Sequence, residues 1–348
     1  MGMKEEAWAK FDELLQDDRG LIKELPVGAG HNYAIFSDLH IGDGTKADNF
    51  RRNADVFIKA LEHYKTRDFS LILLGDIEEF HQFDLTKILA KYDQTVYAFI
   101  RKNFQGTVFR VNGNHDIDWI WKDPILEDEL ITAMAAVKLG RNILCTHGHQ
   151  AVEAFEKDLH VVRLGTTIWR IIERLFTFKD PSTVTQLPEK KDGIYAAWAK
   201  DRKKILICGH THVPVWSGKS MHDWAGREID AIDRRLKARR ARSKAVQNEA
   251  QKLRSRRAWL QSKRRYVEQE MKKQKKRGAA KGAAARRAAA PATLSPYYFN
   301  AGGGLFGDGI TNLEVEGSRL RLIYWPRKTQ EREQIWNDFE LASIIEEA

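Results

Sequence analysis

Five short segments hold the side chains able to do chemistry: Ser37-Asp38-Leu39-His40, Gly75-Asp76-Ile77-Glu78-Glu79, Asn112-Gly113-Asn114-His115-Asp116, Thr146-His147-Gly148-His149 and Gly209-His210-Thr211-His212. Six of the chain's 11 histidines fall in them. A mixed imidazole, carboxylate and amide donor set suits borderline-to-hard divalent ions such as manganese, iron or zinc, with no thiolate to select a softer one. Seven candidate ligands, Asp38, His40, Asp76, Asn114, His147, His210 and His212, are too many for one tetrahedral ion. They fit two ions that share a bridging carboxylate. Two ions ~3.5–4 Å apart generate hydroxide for in-line attack on phosphorus and neutralise the leaving oxygen. The competing reading, a set of polar loop residues satisfied by ordinary hydrogen bonds, requires chance to repeat itself five times. Asp116 and His149 read as supports of the ligand loops through hydrogen bonds. Glu78 reads as a solvated or hinge carboxylate, and His81 and His160 carry no role beyond local packing or surface.

The elements that must position these residues precede them. Apolar runs rich in β-branched and aromatic residues occur at 33–36, 69–74, 107–111, 142–145 and 204–208, each just ahead of one segment. In α/β sheets the ligand site lies at the carboxyl ends of strands, where tight glycine-containing turns can converge on one point. Longer stretches of helical period separate several runs. Two more strands, 312–316 and 319–325, are parted by Gly317 and Ser318. The spacing also predicts an amphipathic helix over 4–25, with Trp8, Phe11, Leu14, Leu15 and Ile22 as apolar positions, and a polar helix over 329–347. Cys145 and Cys208 lie inside apolar runs and read as small buried hydrophobes rather than a disulfide framework.

The charge is unevenly spread. The net charge of the 348 residues is +10, yet 227–287 alone holds 23 Lys/Arg against 6 Asp/Glu, which leaves −7 for the remainder. A basic segment is therefore inserted into a mildly acidic protein. Positions stepped alternately three and four residues from Ile229 to Met271 are mainly apolar, which predicts a long helix with a coiled-coil-like seam broken by arginines. A low-complexity Ala/Gly/Lys/Arg tract follows. Three partners fit this insertion: another protein or a second copy of the chain, nucleic acid, or an anionic membrane surface. Trp259 and Tyr266 are too few aromatics for a base-stacking platform. Residues 161–178 read as a helix packed on the domain, with an apolar lid or membrane contact as alternatives. No apolar run reaches bilayer length, and the chain opens on acids rather than a leader-like basic and apolar pair. A cytoplasmic location is expected.

The five segments resemble, in order, the motifs of the calcineurin-like metallophosphoesterases: D-x-H, G-D-x-x-D/E, G-N-H-D/E, a lone His and G-H-x-H. The resemblance covers roughly 27–222 and 293–326. It implies an α/β fold, a layered β-sandwich flanked by helices, here with the long basic helical insertion added. It divides the chain into an N-terminal helix (1–26), a catalytic domain (27–222), the insertion (223–292), closing strands (293–326) and a C-terminal helix (327–348). It implies that Asp38, His40 and His212 hold the first ion, Asn114, His147 and His210 the second, and that Asp76 bridges them. The ions would be manganese, with iron, zinc or magnesium as alternatives. His115 would stabilise or protonate the leaving group, oriented by Glu79. The activity implied is hydrolysis of a phosphate ester or pyrophosphate by a metal-bridging hydroxide. A phosphate-containing substrate that is small and nucleotide- or lipid-linked is favoured. A nuclease or nucleic-acid phosphatase guided by the basic arm is one alternative, and a non-catalytic scaffold with a vestigial site is another. Phe80 replaces the arginine of Ser/Thr protein phosphatases, which argues against that branch. G-D-I-E-E-F and the H-G-H segment look more like the UDP-2,3-diacylglucosamine pyrophosphatase-like branch, although that branch has arginine at the position of His115 and aspartate at that of His149.

Overall fold

A computed structural model describes residues 3–16, 21–116, 133–149, 186–212, 214–217, 219–220, 230, 233–234, 297–304, 309–335 and 338–341. The helix expected at 161–178, His160, and all of the basic insertion except Asp230, Asp233 and Arg234 lie outside these residues.

Strands are numbered in chain order. One sheet runs β14 (Glu333–Gln334), β13 (Arg319–Pro326), β12 (Gly309–Glu316), β2 (Asn32–Phe36), β3 (Ser70–Leu74), β4 (Val108–Val111) and β5 (Ala133–Met134), with β15 (Phe339–Glu340) also pairing β13. The other runs β1 (Ile22–Leu25), β6 (Ala136–Leu139), β7 (Ile143–Cys145), β8 (Ile205–Cys208), β11 (Tyr298–Asn300), β9 (Val215–Trp216) and β10 (Lys219–Ser220). The apolar runs read as continuous because both faces of each sheet are covered. Tyr33 and Ile35 of β2 meet Ile205 and Ile207 of β8 in the core between the sheets. Their neighbours Ala34 and Phe36 face a second core under α2 (Ala54–Lys65), α3 (Leu85–Tyr92) and α4 (Ala98–Asn103). Leu206 and Cys208 face a third, closed by α1 (Met3–Leu15) and α5 (Gln186–Arg202). The result is a β-sandwich flanked by helices. Cys145 and Cys208 are buried and unbridged, one between the sheets and one under the helices. Burial raises both thiols above their ordinary range. Among the described residues no helix is long and apolar enough to cross a membrane.

Two expected helices are corrected. The first ends at Leu15 rather than continuing to 25, and Ile22–Leu25 forms β1, parallel to β6 from Ile22↔Ala136 to Leu25↔Leu139. The intervening Asp17-Asp18-Arg19-Gly20 is a poor helix interior, and the open edge of β6 offers the backbone a ladder. The expected C-terminal helix is replaced, over its described residues, by β14 and β15 on β13. Ile335 and Leu341 enter the core between the sheets, so burial at that edge outweighs local helical preference.

Strand register brings the five chemical segments to one edge. β2, β3 and β4 are parallel neighbours, paired at Phe36↔Leu73 and Leu74↔Val111. β7, β8 and β11 are likewise parallel, paired at Cys145↔Ile207 and Asn300↔Cys208. Each sheet therefore delivers its carboxyl ends together, and the two sets of loops meet across the sandwich.

Candidate metal centre

The meeting of the loops depends on glycine. A Cβ on Gly209 would lie 1.8 Å from Ser37 Oγ and 2.5 Å from Asp38 Oδ2, and one on Gly113 would lie 2.1 Å from Asp76 Oδ1. Only a residue without a side chain lets these backbones approach. The residues they bring together sit in strained conformations. Asp38, His40, Asp76, His210 and His212 all have left-handed backbone, with φ between 49° and 67°. Each costs of order 1–3 kcal/mol, and such strain persists where the surroundings over-determine it.

Three buried clusters of possible ligands form among the described residues, two of them around Asp76. Ligand atoms of Asp38, His40, Asp76 and His212 lie within 4.8 Å of one another, as do those of Asp76, His147 and His210. Asp76 belongs to both. His212 Nε2 lies 3.2 Å from Asp38 Oδ1 and 3.2 Å from His40 Nε2. Asp38 is held by the backbone N–H of His210, 3.0 Å from each carboxylate oxygen, and by the Ser37 hydroxyl. Asp76 accepts the backbone N–H of His115 at Oδ1, 2.8 Å away. Its Oδ2 lies 3.1 Å from His147 Nε2, within ion-pair reach. Burial alone would raise the Asp76 pKa; the imidazoles of His147, His115 and His40 outweigh it and hold the carboxylate well below its usual range. Burial opposes protonation of His147 as well, and the facing Asp76 carboxylate overcomes that, lifting it to about 9.

Whether a metal fits can be judged from atoms left without partners. Asp76 Oδ2, Asn114 Oδ1 and His147 Nε2 are buried and have no hydrogen-bond partner. Orphaned buried acceptors are costly, and a cation held by these residues would satisfy them. His147 Nδ1 lies 2.9 Å from the Leu74 carbonyl, which can only accept, so Nδ1 carries a proton and Nε2, turned to Asp76, is the nitrogen that would bind a metal on losing its own. The residues present therefore fit divalent metal.

Beside this cluster, Glu79 joins two histidines. Its Oε2 lies 2.7 Å from His40 Nδ1 and its Oε1 lies 2.8 Å from His115 Nδ1. Burial would raise its pKa; the two imidazoles, His115 foremost, hold it far below the usual carboxylate range. His81 lies against His115 with ring centroids 4.1 Å apart, a neighbour that its sequence position did not suggest. His149 lies tilted against His147, 5.4 Å between centroids, and burial first and then His147 push it down to about 3.

Glu78 is corrected: it is fully buried rather than solvated. It pairs with Arg110, itself 1% exposed, and accepts from the Tyr97 hydroxyl at 2.9 Å. Arg110 also donates to Asp116 at 3.0 Å. Asp116 in turn accepts the backbone N–H of Gly113 at 2.6 Å and of Ile77 at 2.8 Å, tying the Asn114 loop to the Asp76 loop. Burial, against Arg110, lifts Asp116 to about 6. Sequence reading passed over Arg110. The available signal was a lone arginine inside an apolar strand, which must find a carboxylate when buried. A second support lies under the Gly209–His212 turn. Asn300 donates to the Gly209 carbonyl at 2.7 Å and to Thr211 Oγ1 at 3.1 Å, and Asp192 of α5 accepts from Thr211 and from Tyr298.

The fold is thus an α/β sandwich with buried carboxylate and imidazole clusters at its strand ends. A family model described as the calcineurin-like phosphoesterase superfamily domain matches residues 32–223, and the chain belongs to that superfamily. Among solved structures it is similar to Vacuolar Protein Sorting 29 from Cryptosporidium parvum. That likeness has 13% identity, spans 90% of this chain and 99% of that one, and has a TM-score of 0.33. No curated protein matches the sequence.

Proposed function

We propose that the chain is a dinuclear metal-dependent phosphoesterase that hydrolyses a phosphate ester or pyrophosphate, with a small nucleotide- or lipid-linked phosphate as the favoured substrate. The observation that carries this reading is that one buried carboxylate, Asp76, belongs to both ligand clusters. Asp38, His40 and His212 would hold one ion, and Asn114, His147 and His210 the other, with Asp76 between them. Two bound divalent ions, manganese first among them, would activate water for in-line attack on phosphorus and neutralise charge on the leaving oxygen. Glu79 keeps a proton on His115 Nδ1, which aims the opposite ring nitrogen toward the reacting group. Through that nitrogen His115 would protonate the leaving oxygen. The same carboxylate fixes His40 with its Nε2 lone pair turned to the cluster.

The test is a screen of metal-stripped protein reloaded with manganese against monoesters, diesters, pyrophosphates and nucleic acid. Hydrolysis of a small substrate, abolished by chelation, is the expected result. Two bound ions with no turnover on any class would move the chain to the scaffold reading.

A further inference from the structure

Helix α5 touches both histidine loops. Tyr195 donates to the Gly148 carbonyl at 2.7 Å, and Asp192 is buried against Thr211 and Tyr298. With the helix so anchored, the half-buried Lys191 puts its Nζ 2.8 Å from His210 Nε2. An ammonium has only donors, so this contact uses the imidazole's lone pair at Nε2. A neutral imidazole has one such lone pair, and its other nitrogen then bears the proton. His210 cannot serve Lys191 and a metal ion at once, whichever ring nitrogen would face the ion. The neighbouring Asp76 and His147 face each other at 3.1 Å, so the ammonium contests His210 rather than either of them.

We infer that Lys191 competes with the ion of the His147–His210 position for His210, and thereby makes that ion the weaker-bound of the two. The inference rests on the dinuclear reading above. Among the described residues Asp38, His40 and His212 touch no lysine, so an ion entering the other position breaks the 3.2 Å contact between His40 Nε2 and His212 Nε2 but displaces no ammonium. The second ion must displace the ammonium and also bear its like charge nearby.

The experiment is titration of metal-stripped protein with manganese by calorimetry, with metal content checked after desalting. Wild type should bind two ions with unequal affinity. Lys191→Met should tighten the weaker site by roughly ten- to a hundredfold, the equilibrium equivalent of one charge-assisted hydrogen bond. The tighter site should stay within about twofold, and Lys191→Arg should behave as wild type because its guanidinium is also a pure donor. Lys191→Gln, which keeps polarity at the helix surface, is the second variant should the methionine disturb folding. Two ions bound with the same affinities in wild type and both neutral variants would overturn this inference alone. Failure of every protein to take up metal would overturn the dinuclear reading with it.

Discussion

His115 turns its Nδ1 to Glu79, whose Oε1 lies 2.8 Å away. A carboxylate can only accept, so the contact sets the tautomer of the ring as well as its direction. His115→Ala should keep metal content near wild type and lower turnover by roughly 10²–10⁴-fold, the range for a lost general acid. A nitrophenyl ester, whose leaving group needs little protonation, should lose far less. Equal losses on good and poor leaving groups would reduce His115 to a phosphate-positioning role.

Glu79→Gln tests the shared carboxylate. An amide oxygen can accept from one imidazole, but its NH₂ then faces the Nδ1 proton of the other. Either His115 or His40 must change tautomer. Turnover or metal affinity should fall by roughly 10–100-fold, as for other partners that orient ligand histidines. Steady-state kinetics beside metal content separates the two, and no change in either would remove the role given to Glu79.

Asp76→Asn preserves shape and removes the charge common to both clusters. Two dications at short range would then repel with less anion between them. Loss of bound metal and activity together is expected, read by plasma spectrometry and turnover. A variant that retained two ions and full activity would show that Asp76 is not the bridge.

Arg110→Met leaves Glu78 and Asp116 buried without their cation. Breaking such a group from one side costs roughly 3–5 kcal/mol, measurable by urea unfolding. Adding Glu78→Gln should recover part of the loss, because one fewer charge remains unpaired. A cost below about 1 kcal/mol, typical of exposed pairs, would show that water reaches these carboxylates.

Replacing 223–292 with a short Gly/Ser linker should spare hydrolysis of a small substrate, since every proposed ligand lies between Asp38 and His212. If the arm binds nucleic acid, wild type should bind it with affinity falling steeply with salt, and the replacement should abolish binding. Salt-insensitive or absent binding leaves the arm to a protein partner. Loss of small-substrate activity in a folded variant would mean that the arm reaches the site.

The candidate ligands and the strands beneath them were legible in the sequence because both are local patterns. An apolar run followed by Gly-His-Thr-His states a strand and its turn within about ten residues, and the order of five such segments carries the family resemblance. Their glycines were visible too, but not why they are needed: Gly209 meets Ser37, and Gly113 meets Asp76, across loops far apart in the chain. The ends of the fold misled for a related reason. Ile22–Leu25 and Phe339–Glu340 become strands only because β6 and β13 present open edges to them, and an edge is not a property of the segment that fills it. Glu78 looked like a surface carboxylate, and its burial follows from Arg110, thirty-two residues away. Lys191 belongs to no motif at all, and α5 alone brings it to His210. Residue type and periodicity determine which groups can act and which elements hold them. Which groups share a proton, a charge or a lone pair is decided by tertiary packing, since those couplings act over a few ångströms regardless of distance along the chain.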